Sequence, residues 1–218
     1  MKEKLLSKNT AHWLLGLVIS SLGLGLCTKS NLGLSMIGAA SYILHVALRD
    51  GWSWFTQGTG EYVWEAIVLL VTCVLVRRFR WKYLLSFATA VLSGFIIDGW
   101  LAVLGGNGAY ANRTVRIVAF IAGMMSTSLG IAFIFRTTLP PQVYELSVGE
   151  IANRFGFSKD RTKFGFDLTM LCASLVMSFL LTGTLTGIGV GTVVITFCNA
   201  PLIAFFGRII DRIERKDA

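Results

Sequence analysis

Residues 27–44, CTKSNLGLSMIGAASYIL, follow directly on an apolar run that opens at Trp13, and their reading decides how the chain is threaded. The first part carries Lys29, Asn31 and Gly33. The second part is apolar, yet shorter than the roughly 20 residues a helix needs to cross a ~30 Å hydrocarbon layer. A half-length apolar piece entered through polar residues reads as a re-entrant segment. Backbone that is not helical survives at membrane depth only where protein or a water-filled cavity satisfies its N–H and C=O groups. The stretch therefore implies a cavity or a protein-lined pocket.

Composition agrees with a membrane chain. Of 218 residues, 54% are hydrophobic and 15% charged, and the mean hydropathy is +0.67, more apolar than a soluble core of this size requires. Runs at 13–26, 62–76, 83–104, 115–135, 164–182 and 188–206 approach the length of a span. Lys2, Lys4 and Lys8 precede the first run as in a signal peptide, but no small-residue cleavage pattern closes it, so a retained first helix is expected. The formal charge of +8 gathers at the ends of runs, which speaks for orientation in the bilayer and against nucleic acid as a partner. Cys27, Cys73, Cys172 and Cys198 lie inside apolar runs without paired spacing and read as reduced packing residues. No metal-ligand cluster, nucleophile elbow or phosphotransfer motif is present in the sequence, so neither an enzyme nor a cofactor is expected.

The chain is also duplicated. SLGLGLCTKSNLGLSM (21–36) aligns with SLGIAFIFRTTLPPQV (128–143), placing Gly23 on Gly130, Lys29 on Arg136, Leu32 on Leu139 and Gly33 on Pro140; further on, Glu61 falls on Asp167 and Ser86 on Thr192. Residues 1–218 thus read as a single membrane domain made of repeats 12–104 and 115–209. Each repeat holds a long helix, a short piece (33–48 or 139–151) and two more long helices. If the short pieces cross, there are eight spans in parallel repeats. If they dip and return, there are six spans in inverted repeats. The six-span threading puts RRFRWK (77–82), the loop NRFGFSKDRTK (153–163) and the basic tail inside with both termini, leaving Lys29, Arg49, Arg113 and Arg116 outside. The turn matching RRFRWK is the charge-free TGTLTG (182–187), as opposite placement of the two turns requires. The predicted fold is an all-α polytopic membrane protein of two inverted repeats, each with three transmembrane helices and one short re-entrant helix.

In that threading TKSNLG descends extended at ~3.3 Å per residue to about the midplane. Residues 35–48 then return as a helix of ~20 Å. RTTLPP repeats this, with Pro140 and Pro141 suited to a first helical turn. Two helix N-termini facing each other would favour an anion or a polar neutral solute, an arrangement found in transporters with discontinuous helices. The expected solute-binding residues are Asn31, Ser35, Thr138, Gln142, Tyr144 and Glu145, with Asn199 facing them. Asp98 and Glu145 are expected to carry a coupling ion or proton, because ionisable groups at such depth face a polar interior; pairing of an acid with Arg136 is the structural alternative. Glu61 and Asp167, near the starts of their helices, read as dipole caps. Gly183, Gly187 and Gly191 read as a packing stripe.

The function expected is a small membrane transporter or channel for a small polar or anionic solute. The alternative is a non-transporting membrane sensor or binding protein that docks a cytoplasmic partner through the basic loop and tail. The partners implied are the lipid bilayer, a small-molecule solute and, as an open alternative to a monomer, a second copy in a homodimer.

SLGLGLCTKSNLGLSM, TLPPQVYELSVGEIANRFGFSKDRTKFGFD and GTLTGIGVGTVVITFCNAPLIAFF together resemble the bacterial YczE/YyaS/YitT family of membrane proteins. The last piece resembles the family's glycine-threonine stretch leading to Gly-Pro, with Ala200 before Pro201 here. Ser35 and Met36 stand where a proline is usual after NLG. The resemblance implies a multi-pass protein of the bacterial cytoplasmic (inner) membrane, and it carries no site residues across.

Overall fold

The structure, a computed structural model, describes residues 2–106 and 108–216. Among them are eight helices and no strand: α1 (Lys2–Ser30), α2 (Met36–Leu48), α3 (Gln57–Val76), α4 (Trp81–Val103), α5 (Arg113–Ile134), α6 (Val143–Phe155), α7 (Lys159–Thr182) and α8 (Val190–Lys216). Six are long and apolar enough to span a bilayer, carried by Asn9–Ser30, Gln57–Val76, Trp81–Val103, Arg113–Ile134, Arg161–Thr182 and Val190–Ile213. Their outer faces expose large apolar side chains, with Leu70 at 67%, Val74 at 74% and Leu180 at 79%, a surface that suits lipid and not water. This is the architecture of a multi-pass helical membrane protein. The remaining helices, α2 and α6, have 13 residues each, or about 20 Å, too short to cross.

The entry to α2 differs from the extended descent expected of TKSNLG. Thr28, Lys29 and Ser30 stay helical, and the chain turns only at residues 31–35. Asn31 adopts φ 49° and Gly33 φ 131°. A side chain at Gly33 would be strained by that backbone and would also meet the Thr192 amide, 2.6 Å from its Cβ. Three side-chain hydrogen bonds hold the turn. The Arg116 guanidinium donates to the Ser30 carbonyl at 2.6 Å and the Asn31 carbonyl at 2.8 Å, while Lys29 Nζ donates to the Gly106 carbonyl at 2.9 Å. These bonds satisfy carbonyls that a helix C-terminus leaves without partners.

The helices gather into two compact units, neither of them a continuous half of the chain. The first joins the segment up to Leu34, Gly99–Leu139 and the segment from Gly189 onward. Its centre is a seam between α1 and α5. A Cβ on Gly16 would lie 2.8 Å from the Gly130 carbonyl, and one on Gly123 2.8 Å from the Gly23 carbonyl. Rising numbers on α1 thus meet falling numbers on α5, so the two helices run antiparallel at backbone contact, the approach that small residues permit. α8 runs parallel to α5, with Gly191 on Phe120, Asn199 on Ser128 and Gly207 on Arg136. Arg136 closes this end with a bidentate pair to Asp211, at 2.6 and 2.8 Å.

The second unit comprises Ser35–Asp98 and Pro140–Ile188. Ala40, Trp64, Val68, Leu69, Tyr83, Ala90, Val143, Tyr144 and Met170 form its core. α2 and α3 make an antiparallel hairpin, with Ser41 beside Gly60 and His45 Nδ1 at 2.8 Å from the Phe55 carbonyl. α3 and α6 run side by side in the same direction: Glu65 meets Val143 and Thr72 meets Ser147. Gly183 and Gly187 are turn residues with φ 68° and 71°. The expected stripe of three packing glycines therefore reduces to Gly191, which sits in the first unit.

Candidate functional site

Glu61 and Glu65 stand four residues apart on α3 and so share one face of it. Neither points to water: Glu61 is 4% exposed and Glu65 0%. Counting ~1.5 Å per residue from Gln57, Glu65 lies about 12 Å along α3. There its Oε2 accepts a hydrogen bond from the Val143 amide at 3.3 Å. Val143 opens α6, and the N-cap residue Gln142 supplies no side-chain cap. The N-terminus of α6 is thus met by a carboxylate from α3, in the place where a helix dipole favours negative charge. Glu65 Oε1 and Glu61 Oε2 have no hydrogen-bond partner. Ser41 of α2 packs against Gly60, next to Glu61, so both short helices reach α3 beside its glutamates.

α6 adds two more groups. Tyr144 is 2% exposed and its hydroxyl has no partner, as is true of Glu145 Oε2. Burial, and then the carboxyls of Glu61, Glu65 and Glu145, hold the Tyr144 phenol well above its ordinary range. Burial likewise raises the Glu145 carboxyl, with Lys163 opposing the shift. Trp64, on α3 between the two glutamates, has an indole N–H without a partner, and the buried Thr72–Ser147 bond at 2.8 Å continues the polar seam toward the far end of α6. Among the described residues no Lys or Arg forms an ion pair with these three glutamates. Isolated buried charges cost several kcal/mol each. The described residues show no group of three or more His, Cys, Asp or Glu placed to hold a metal ion.

The predicted site residues divide between the two units. Ser35, Gln142, Tyr144, Glu145 and Asp98 belong to the second unit, whereas Asn31, Thr138 and Asn199 belong to the first. Ser35 caps α2 through the Gly38 amide at 3.2 Å, and Gln142 Nε2 donates to Ser93 Oγ at 3.3 Å. Asp98 is a cap for α3: its Oδ2 accepts from Thr56 Oγ1 at 2.6 Å and its Oδ1 from the Gly58 amide at 2.8 Å. In the first unit Asn199 Oδ1 accepts from Ser128 at 2.9 Å, and Thr138 Oγ1 accepts from Asn9 at 3.1 Å. Arg136 pairs with Asp211 and not with a buried acid.

Glu61 and Asp167 are not caps, because Thr56 caps α3 and Ser158 occupies the N-cap of α7. Asp167 instead pairs with Lys163 at 3.4 Å, one turn away. Glu65 escaped the sequence reading altogether. Its signal was an acid within an apolar run, four residues after another acid.

Residues 7–208 match the model of a family described as a family of unknown function, DUF6198. The chain belongs to that family. It is 27% identical over 203 residues to the uncharacterized protein YyaS of Bacillus subtilis (strain 168), covering 91% of this chain and 92% of that protein. No solved structure matches.

Proposed function

We propose that this protein is a small transporter or channel for a polar solute, and that Glu61, Glu65 and Glu145 are the groups through which a proton or a small cation passes or is coupled. The observation that carries the reading is the Glu65 carboxylate: fully buried, bound on one oxygen by the first amide of α6 and free on the other. A helix N-terminus open toward the interior favours an anion. Here that position is filled by the protein's own carboxylate, so the groups left over are acidic and favour a cation or a neutral solute over the anionic solute expected from helix dipoles alone.

The reading includes the threading. α2 and α6 are proposed as re-entrant helices and the two halves as inverted repeats. In support, the matched residues Gly16 and Gly123, and Gly23 and Gly130, exchange roles across the antiparallel α1–α5 seam. α2 and α6 likewise each pack against both α3 and α7. An inverted pair of repeats generates such exchanged contacts.

The test uses purified protein in proteoliposomes under a potassium–valinomycin clamp, with proton influx and methylammonium uptake measured separately. Wild-type protein should move at least one of the two, and Glu61→Gln/Glu65→Gln should abolish that movement while still folding. Equal movement by wild type and the double variant, or none of either ion by the wild type, overturns the reading.

A further inference from the structure

At the Val76 end of α3, Arg77, Arg78 and Arg80 converge with Asn153 and Arg154 of α6 around a concavity of about 430 Å³. Glu150 is the acid in its lining, and it is engaged by Arg80 at 3.3 Å. Among the described residues Arg77, Arg78 and Arg154 have no ion pair. Positive charge at the end of a span orients a protein in its membrane. Orientation, however, requires neither that arginines of the α3–α4 turn share one pocket with an arginine of α6 nor the backbone adopted by Arg77. Arg77 sits at the α3 C-cap with φ 53° and ψ 37°, a left-handed position that glycine occupies at less cost.

A second feature meets the pocket. An apolar groove of about 600 Å³ runs along α3 from Trp64 through Val68 and Val71 to Leu75, closed by Phe166 and Met170 of α7. Leu75 and Ile151 line the groove, while their chain neighbours Val76 and Glu150 line the basic pocket. From Trp64 to Leu75 the groove extends roughly 16 Å, about half of a ~30 Å hydrocarbon layer and so the depth of one leaflet.

The geometry points to a bound anionic phospholipid, with its phosphate among Arg77, Arg78 and Arg154 and an acyl chain in the groove. Guanidinium groups match phosphate oxygens in bidentate fashion, and basic pockets between membrane helices take acidic lipid head groups. The basic pocket lies at the Val76 end of α3, away from Glu61 and Glu65, and the proposal does not depend on the transport reading.

Two substitutions test it without threatening the fold. Arg77→Gly removes a cation and relaxes the backbone. Gly165→Leu fills the groove at a position where an added Cβ meets nothing within 4 Å. Delipidated full-length protein is titrated with phosphatidylglycerol, phosphatidylcholine and inorganic phosphate, read by native mass spectrometry and by thermal shift. Phosphatidylglycerol should bind in preference to phosphatidylcholine. Arg77→Gly should weaken it about tenfold, the scale of one charge-assisted contact, and Gly165→Leu should weaken it as well. Equal binding of the two lipids overturns the proposal. So does inorganic phosphate binding as tightly as phosphatidylglycerol with no effect of Gly165→Leu, since that result assigns the arginines to free phosphate.

Discussion

The two units treat polar groups in opposite ways. In the first, three charged side chains near helix ends have partners: Arg116 on the carbonyls that end α1, Lys29 on Gly106, Arg136 on Asp211. Its centre is a seam of glycines with backbone against backbone. In the second, buried Glu61, Glu65 and Tyr144 share a seam with the partly buried Glu145, and oxygens are left over. Paired groups and a glycine seam make a rigid frame, and unpaired buried acids are costly unless something visits them. Under the proposed function, the first unit is the scaffold and the second carries the chemistry.

That contrast can be broken most severely at the seam. Gly130→Leu should force α1 and α5 apart, costing about 1–3 kcal/mol or more, and a thermal melt of the purified protein should show a large drop or no folded material. Glu65→Ala should come next. It removes both the functional carboxylate and the partner of the α6 N-terminus, so ion movement should vanish and stability fall by about 1 kcal/mol, the scale of a lost helix cap. Glu65→Gln should abolish movement and leave the melt near wild type.

A third effect is expected in pH. Burial raises the Glu145 carboxyl, so above the ordinary carboxyl range the folded protein holds a proton that the unfolded chain has lost. Stability therefore falls as pH rises through that window and increases as pH is lowered toward the ordinary value. Melts between pH 7 and pH 5, read at ordinary carboxyl pKa values near ~4.3, should show the midpoint rising on acidification, with a smaller rise in Glu145→Gln. The smallest effect belongs to the frame. Asp211→Asn breaks an ion pair open to solvent, so it should lower the melt slightly and leave ion movement unchanged. A loss of ion movement there would erase the distinction between the units.

Much of the architecture was legible because bilayer thickness imposes lengths on the chain. The six long helices follow from apolar runs, and α2 from a run too short to span. The end of the first helix was not legible, since Thr28, Lys29 and Ser30 have polar side chains that look like a loop. Their helical state depends on Arg116, distant in sequence, accepting the role of C-terminal partner. The site was legible in part. Tyr144 and Glu145 stand out within the second short segment, but Asp98 read as a coupling-ion or proton residue in the same way and is found capping α3, because only the fold brings Thr56 and Gly58 to it. Glu61 follows the start of a long apolar helix, where an acid is readily taken for a dipole partner. That reading gives way once the true N-cap at Thr56 is seen.

The most direct test is carbodiimide labelling of the purified protein, with modified carboxyls located by mass spectrometry. The reagent partitions into apolar surroundings and modifies carboxyls that carry a proton. The account predicts preferential modification of Glu61 or Glu65, declining as pH rises, protected by an excess of methylammonium, and absent from Glu61→Gln/Glu65→Gln. Labelling confined to the exposed acids Asp50 and Asp211 would contradict it.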